Sequence, residues 1–288
     1  MPHPYEDELL SCTLLRTARR ARLKPRAAAN FVLGRPTACH SQFPRQLPRL
    51  IANMMLPAGA WERILREHTC YPLSEPFLDE AQRHRLRCWM HDDSAGMGRP
   101  GAKLFKGIHF KTYRFCPKCF EEQLSRCGEV YWRRIWQIPE CRLCPEHGVP
   151  LKETKEPFRD KYGISRAVPA SLAVAEEATE LRPTKHEEAI TEALRNLLQR
   201  RGCVPSKTQL KAVYSDLTKG IRRKKIDAAA WRYWGKEWLE THQISSASAL
   251  LHGEHWQAWW MHLTLIKALD PTLTLASVLT YASLKKSK

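Results

Sequence analysis

Two short cysteine turns constrain the folding of this chain more than any other feature of its sequence. Cys116-Pro-Lys-Cys119 is followed, after 24 residues, by Cys144-Pro-Glu-His147. In each turn a two-residue spacer lets both ligand side chains converge on one ion, and the proline stiffens the turn. Three thiolates and one imidazole are a set that closes a tetrahedral structural zinc site, and soft sulfur ligands at closed positions favour zinc. The fold must therefore bring residues 116–119 and 144–147 together, with Zn(2+) as the expected cofactor on Cys116, Cys119, Cys144 and His147. Cys141-x-x-Cys144 offers a competing register, an all-thiolate site with Cys116 and Cys119. The repeated Cys-Pro step favours Cys144 with His147 and leaves Cys141 a spare thiol.

The remaining cysteines, Cys12, Cys39, Cys70, Cys88, Cys127 and Cys203, are scattered and read as small apolar core residues. A catalytic zinc would need an open coordination position and a neighbouring acid or base. The sequence has no HExxH, and His252-Gly-Glu254 lacks the Pro-Cys-x-x-Cys that accompanies such a glutamate in zinc deaminases. The chain is accordingly read as not an enzyme. No apolar run reaches 18 residues and Met1 to Leu10 is acidic, so neither a membrane span nor a secretory signal is expected. A reducing cytoplasm, with cysteines as ligands and buried thiols, is the expected setting.

Charge points to a class of partner. Against 30 Asp plus Glu stand 47 Lys plus Arg, a net +17. Each phosphate neutralised by such groups releases a counterion, which makes a polyanion the default partner without giving specificity. With 288 residues, 43% of them hydrophobic, the chain can bury a core and corresponds to roughly two domains at about 150 residues each.

The pattern along the chain is mainly α. Residues 5–33 read as helical and broken at Pro25, with Leu9, Leu10, Leu14 and Leu15 on an apolar stripe. The basic run Arg16 to Arg26 reads as a solvated face, with nucleic-acid contact as the alternative. Further helices are expected from Leu47 and over Ala60 to His68, then a Pro-punctuated stretch Cys70 to Pro76 and an exposed loop over 92–107. The expected organisation is a helical N-terminal part (1–107), a zinc-knuckle module (108–155), a connection (156–184) and a C-terminal helical domain (185–288). In the last part Thr184-x-x-Glu187 and Ser206-x-x-Gln209 fit capping boxes, and a third helix is expected over Lys225 to Thr241. Three short helices with tight turns match a helix-turn-helix layout.

The candidate DNA contacts are Lys207, Lys211, Arg222, Arg223, Lys224, Lys225 and Arg232, clustered where the third of these helices begins, with Arg133 and Arg134 as weaker candidates. A solvated basic face is the bland alternative for all of them. The stripes Trp231, Trp234, Trp238 and Trp256, Trp259, Trp260 read as core or a protein contact before base stacking.

Phe115 to Leu151 resembles the signature of the TniQ/TnsD family, target-selection proteins of transposons. The resemblance lies in the first knuckle, then Gly128-Glu-x-Tyr-Trp-Arg-Arg134, Ile138-Pro139 and Cys144-Pro-x-His-Gly148. Pro4-Tyr5-x-x-Glu8-Leu9, Phe43-Pro44 to Leu50, and Glu67-His-Thr to Pro76-Phe77 agree with it, and beyond residue 150 it rests on Gly235 to Leu239 and Trp260 to Ile266. The resemblance implies a non-catalytic adaptor, cytoplasmic and nucleoid-associated in a bacterium. Such an adaptor marks an insertion site on DNA and recruits an AAA+ ATPase regulator, which brings the transposase. It also implies an alternative, an adaptor on a CRISPR guide-RNA effector complex, as a homodimer, with little DNA binding of its own. The zinc ligands carry over to Cys116, Cys119, Cys144 and His147; Cys141 departs from the family pattern.

Overall fold

The computed structural model describes residues 1–34, 43–75, 78, 80–91, 112–138, 141–157, 170 and 185–199. The described residues fall into two compact units, one drawn from 1–73, 87–97 and 109–199, the other from 74–86. In the second, the Leu78 amide donates to the Glu75 carbonyl at 3.4 Å and Arg83 Nε to the Leu78 carbonyl at 3.0 Å. The expected boundary at 107/108 lies outside the described residues.

The described elements are helices α1 (Leu10–Arg20), α2 (Pro25–Leu33), α3 (Leu47–Asn53), α4 (Trp61–Glu67), α5 (Tyr71–Ser74), α6 (Glu80–His91), α7 (Pro117–Cys127) and α8 (Lys185–Gln199), with strands β1 (Thr112–Phe115) and β2 (Lys152–Pro157). Pro25 takes the first helical position of α2, where a missing N–H costs nothing, so the break expected there is a helix start. The stripe Leu9, Leu10, Leu14 and Leu15 is buried to within 1%. Helix α8 matches the expected span after Thr184. The rest of the expected helix-turn-helix lies outside the described residues, as do the 92–107 loop and both tryptophan stripes.

The antiparallel pair β1–β2 was not expected. Phe115 pairs with Lys152 and Arg114 with Glu153, so the two chain ends flanking the cysteine turns are tied to each other. Gln137 extends this pairing by accepting from the Arg114 amide at 3.1 Å and donating to its carbonyl at 2.7 Å. The buried Arg114 guanidinium donates to the Trp136 and Ile138 carbonyls, both at 2.6 Å. Below the sheet, Trp132 and Trp136 are fully buried. Trp132 stacks on Tyr113 at 4.6 Å, and Phe120 of α7 packs between the two indoles at 5.7 and 5.8 Å.

The N-terminal turn is locked onto this core from the other side. The Leu9 amide donates to the Trp132 carbonyl at 2.9 Å, the Arg134 amide to the Asp7 carbonyl at 2.8 Å, and Tyr5 stacks on Tyr131 at 4.9 Å. Two stretches more than a hundred residues apart in the sequence are therefore one interface. Arg16, expected on a solvated face, is instead buried: it is 4% exposed. Its guanidinium lies 3.9 Å above the Tyr5 ring, donates to Glu8 Oε2 at 2.6 Å, and bonds Glu129 Oε1 at 3.0 Å. Burying it unpaired would cost several kcal/mol; Glu129 supplies the opposite charge, and Glu8 accepts its hydrogen bond.

Candidate metal centre

The first cysteine turn is the start of α7. Cys116 is the extended N-cap (φ −98°, ψ 122°), Pro117 follows at the first helical position, and Cys119 lies in the first turn. Both sulfurs thus sit at the positive end of the helix dipole, which favours thiolate over thiol. Helix α7 ends at Gly128, whose φ of +70° suits glycine, and the chain turns from there into the Glu129 to Arg134 stretch.

The second turn is the tip of a hairpin. The Leu151 amide donates to the Arg142 carbonyl and the Cys144 amide to the Val149 carbonyl, both at 2.8 Å. The Gly148 amide then closes onto the Cys144 carbonyl, also at 2.8 Å. Closing so tightly requires a left-handed residue, and Gly148 has φ +64°. That closure turns Cys144 and His147 to the same side.

The four side chains meet. Their ligand atoms all lie within 4.8 Å of one another, a group that could hold a metal ion. Cys119 Sγ is 3.5 Å from Cys144 Sγ. His147 Nδ1 is 3.6 Å from Cys116 Sγ, 3.3 Å from Cys119 Sγ and 3.6 Å from Cys144 Sγ. Metal–sulfur bonds of about 2.3 Å and metal–nitrogen bonds of about 2.0 Å give tetrahedral edges of about 3.5 to 3.8 Å. These four edges match to within a few tenths of an ångström, and the three cysteines are buried. Cys141, the alternative ligand, is buried with its thiol donating to the Leu143 carbonyl at 3.2 Å, outside the group.

Charge at this site is crowded. The Cys119 and Cys144 side chains hydrogen-bond to Cys116 and, with the amides of the first turn of α7, pull its thiol down to about 3, while the Cys119 thiol is pushed up. One sulfur can carry charge comfortably and three cannot without a cation among them.

Sequence reasoning missed the groups around the ligands. Glu122 Oε1 lies 2.9 Å from His147 Nε2, which holds Nδ1 as the atom facing the sulfurs. Glu122 falls one helical turn after Cys119, a signal visible once α7 is known to start at the first knuckle. Glu146, inside the second knuckle, pairs with Arg133 at 2.8 Å, and Arg133 Nε is 3.4 Å from Asp7 Oδ2.

These pairings correct part of the expected DNA interface. Arg134 is 3% exposed, donating from Nε to Asp7 Oδ1 at 2.9 Å and from Nη1 to the Thr69 carbonyl at 2.6 Å. Arg133 is mostly buried between Asp7 and Glu146. Both are held by carboxylates of the same fold, Arg133 by Asp7 and Glu146 and Arg134 by Asp7. Lys207, Lys211, Arg222, Arg223, Lys224, Lys225 and Arg232 lie outside the described residues.

The sequence profile of the TniQ family matches residues 1–151, the stretch that holds α1 to α7, β1 and all four ligand candidates. The chain belongs to the TniQ family. It is also similar to the transposition protein TnsD of transposon Tn7 from Escherichia coli, 29% identical over 156 residues. That match covers 51% of this chain and 30% of the relative, so the chain aligns with under a third of the relative's length. The motifs that carry the resemblance have structural tasks. Glu8 accepts from the Tyr5 amide at 2.8 Å and closes its own turn, while Glu129 binds Arg16, Arg20 and Tyr5.

Proposed function

We propose that this TniQ-family chain is a non-catalytic target-selection adaptor of DNA transposition, which marks an insertion site on DNA and recruits an AAA+ ATPase regulator and, through it, the transposase. The observation that supports this reading most is the match of the family profile to residues 1–151, together with the name of the relative, a transposition protein. Zinc is the ion that fits the donor set best, with Cys116, Cys119, Cys144 and His147 as ligands. When bound it supplies charge neutralisation and a cross-link, not a reactive centre. Four protein ligands leave no position for an activated water.

The chain's own residues define what that cross-link secures. It ties the first turn of α7 to the 142–151 hairpin, and through Glu146, Arg133 and Asp7 it reaches the N-terminal turn. A rigid adaptor surface is the product of this arrangement. The cations Lys207, Lys211, Arg222, Arg223, Lys224, Lys225 and Arg232 are the proposed DNA contacts, and a bacterial cytoplasm, on the nucleoid, is the proposed location. Among the described residues no helix is long and apolar enough to cross a membrane.

The test combines metal analysis with an insertion assay. Purified protein is expected to carry one zinc per chain, and Cys116→Ser to lose both the metal and insertion in cells expressing the ATPase and transposase. Insertion at an unchanged frequency by a metal-free Cys116→Ser protein would refute the structural role of the site. Binding to naked DNA, with and without the ATPase, separates direct targeting from the alternative: no binding without a guide-RNA effector complex would favour the adaptor that reads a ribonucleoprotein.

A further inference from the structure

From Leu9 to Trp61 the sequence contains no aspartate or glutamate, while its cations concentrate at the corner between α1 and α2. Not all of these are available. Arg16 and Arg20 are paired with Glu129. Arg22, Lys24 and Arg26 are exposed, and their side chains make no ion pair among the described residues. They follow one another across the turn that joins the two helices. Arg22 sits at φ +53°, which directs the chain sharply from the end of α1 into α2.

The outer face of α2 adds a second kind of contact. Ala28, Ala29 and Val32 face the core, and Arg26, Ala27, Asn30 and Phe31 face solvent. At 100° per residue, Ala27 and Phe31 lie one turn apart along one edge of that face, with Lys24 at its N-terminal end and Arg26 with Asn30 along the other edge. Phe31 is 74% exposed, and Leu23 in the turn is 42% exposed. Among the described residues α2 is anchored through Ala28, Ala29 and Val32, and the phenyl ring lies outside that contact, beside cations that make no ion pair among those residues.

We infer that the α1–α2 turn and the outer face of α2 form a contact surface for single-stranded nucleic acid, with Arg22, Lys24 and Arg26 on phosphates and Phe31 as a stacking platform for a base. Cations tracking a backbone beside an exposed aromatic ring are the means by which proteins hold single strands without reading sequence. A duplex fits less well, because its base faces are covered by their neighbours and leave Phe31 without a partner. An acidic protein segment would use the cations, but Leu23 and Phe31 offer it little apolar area. The surface belongs to the first unit and stands independently of the proposed contacts at 207–232.

The experiment measures anisotropy of a labelled mixed-sequence single strand, and of the matching duplex, bound to the full chain over about 50 to 200 mM salt. The triple variant Arg22→Asn, Lys24→Ala, Arg26→Ala is used because asparagine tolerates the positive φ at position 22. It should weaken single-strand binding at low salt and reduce the log–log salt slope by about 2, near 0.7 per lost phosphate contact. Phe31→Ala should weaken single-strand binding by on the order of tenfold, with the salt slope and duplex affinity unchanged, and Phe31→Tyr should restore it. Thermal midpoints equal to wild type establish that each variant is folded. An unchanged slope in the triple variant would overturn the phosphate contacts. Equal loss on strand and duplex in Phe31→Ala would overturn the stacking platform. Polyglutamate displacing the strand at equal charge concentration would reassign the surface to an acidic polypeptide.

Discussion

Glu8 and His68 form a compensating pair whose separation is visible in the pH dependence of stability. The His68 imidazole is bonded to the Glu8 backbone carbonyl at 3.1 Å, and both side chains are buried. Burial pushes the Glu8 carboxyl from 4.5 up to about 7, outweighing the attraction of Arg16. Burial likewise pulls His68 from 6.5 down to about 4, helped by the nearby Arg134. Each displacement corresponds to about 3 kcal/mol at 1.36 kcal/mol per pKa unit, and the signs oppose. The raised acid contributes stability below pH 4.5 that is lost as pH rises through about 7. The depressed base contributes stability above pH 6.5 that is lost as pH falls through about 4. Between pH 5 and 6.5 the two slopes nearly cancel. Glu8→Gln should unmask the histidine, giving stability that rises by up to about 1.4 kcal/mol per pH unit, or about 3 to 6 °C in Tm. His68→Gln should give a fall of the same size. The assay is the thermal midpoint against pH for wild type and both variants, and the readout is the slope relative to wild type. Loss of the Arg16 partner lowers every Glu8→Gln midpoint, and proton release on metal binding is common to all three proteins. Two variants with slopes parallel to wild type would show that neither buried group titrates as described.

Three other changes follow from the geometry. Arg134→Met removes a buried guanidinium, leaves Asp7 with Arg133 as its cation and takes the donor from the Thr69 carbonyl, so it should cost about 3 to 5 kcal/mol in chemical denaturation, whereas the exposed Arg126→Ala should stay within about 0.5 kcal/mol. Gly148→Ala places an L-residue at φ +64° with nothing within 4 Å of the new Cβ, so strain alone should cost about 1 to 2 kcal/mol, and Gly148→Asn should recover part of it. Glu122→Gln should raise the zinc dissociation constant by about tenfold, the lower end of the range for partners of a ligating histidine, since Glu122 is half exposed; competition with a chelator reads this directly.

The meeting of Cys116, Cys119, Cys144 and His147 was legible because its signal is local: two-residue spacers and a repeated Cys-Pro step bring each pair of side chains to one side of a turn. The α1 stripe was legible for the same reason, since helical periodicity is contained within a few turns. The partners of charged residues were not. Arg16 reads as exposed because its neighbours in sequence are other cations, yet Glu129 is 113 residues away. Arg134 reads as a free cation because Asp7 is 127 residues away. Strands β1 and β2 are too short to show alternation, and they form because the cysteine turns between them bring their ends together.

The same pairings change what the net charge of +17 means. Arg16, Arg133 and Arg134 count toward it, but each is paired with a carboxylate of the fold: Arg16 with Glu8 and Glu129, Arg133 with Asp7 and Glu146, and Arg134 with Asp7. Charge matched inside the fold is screened little by salt, and exposed charge strongly. A nucleic-acid function therefore has to rest on cations without internal partners, which among the described residues include Arg22, Lys24 and Arg26. Binding that persists at high salt would point away from these residues and toward contacts that are not electrostatic.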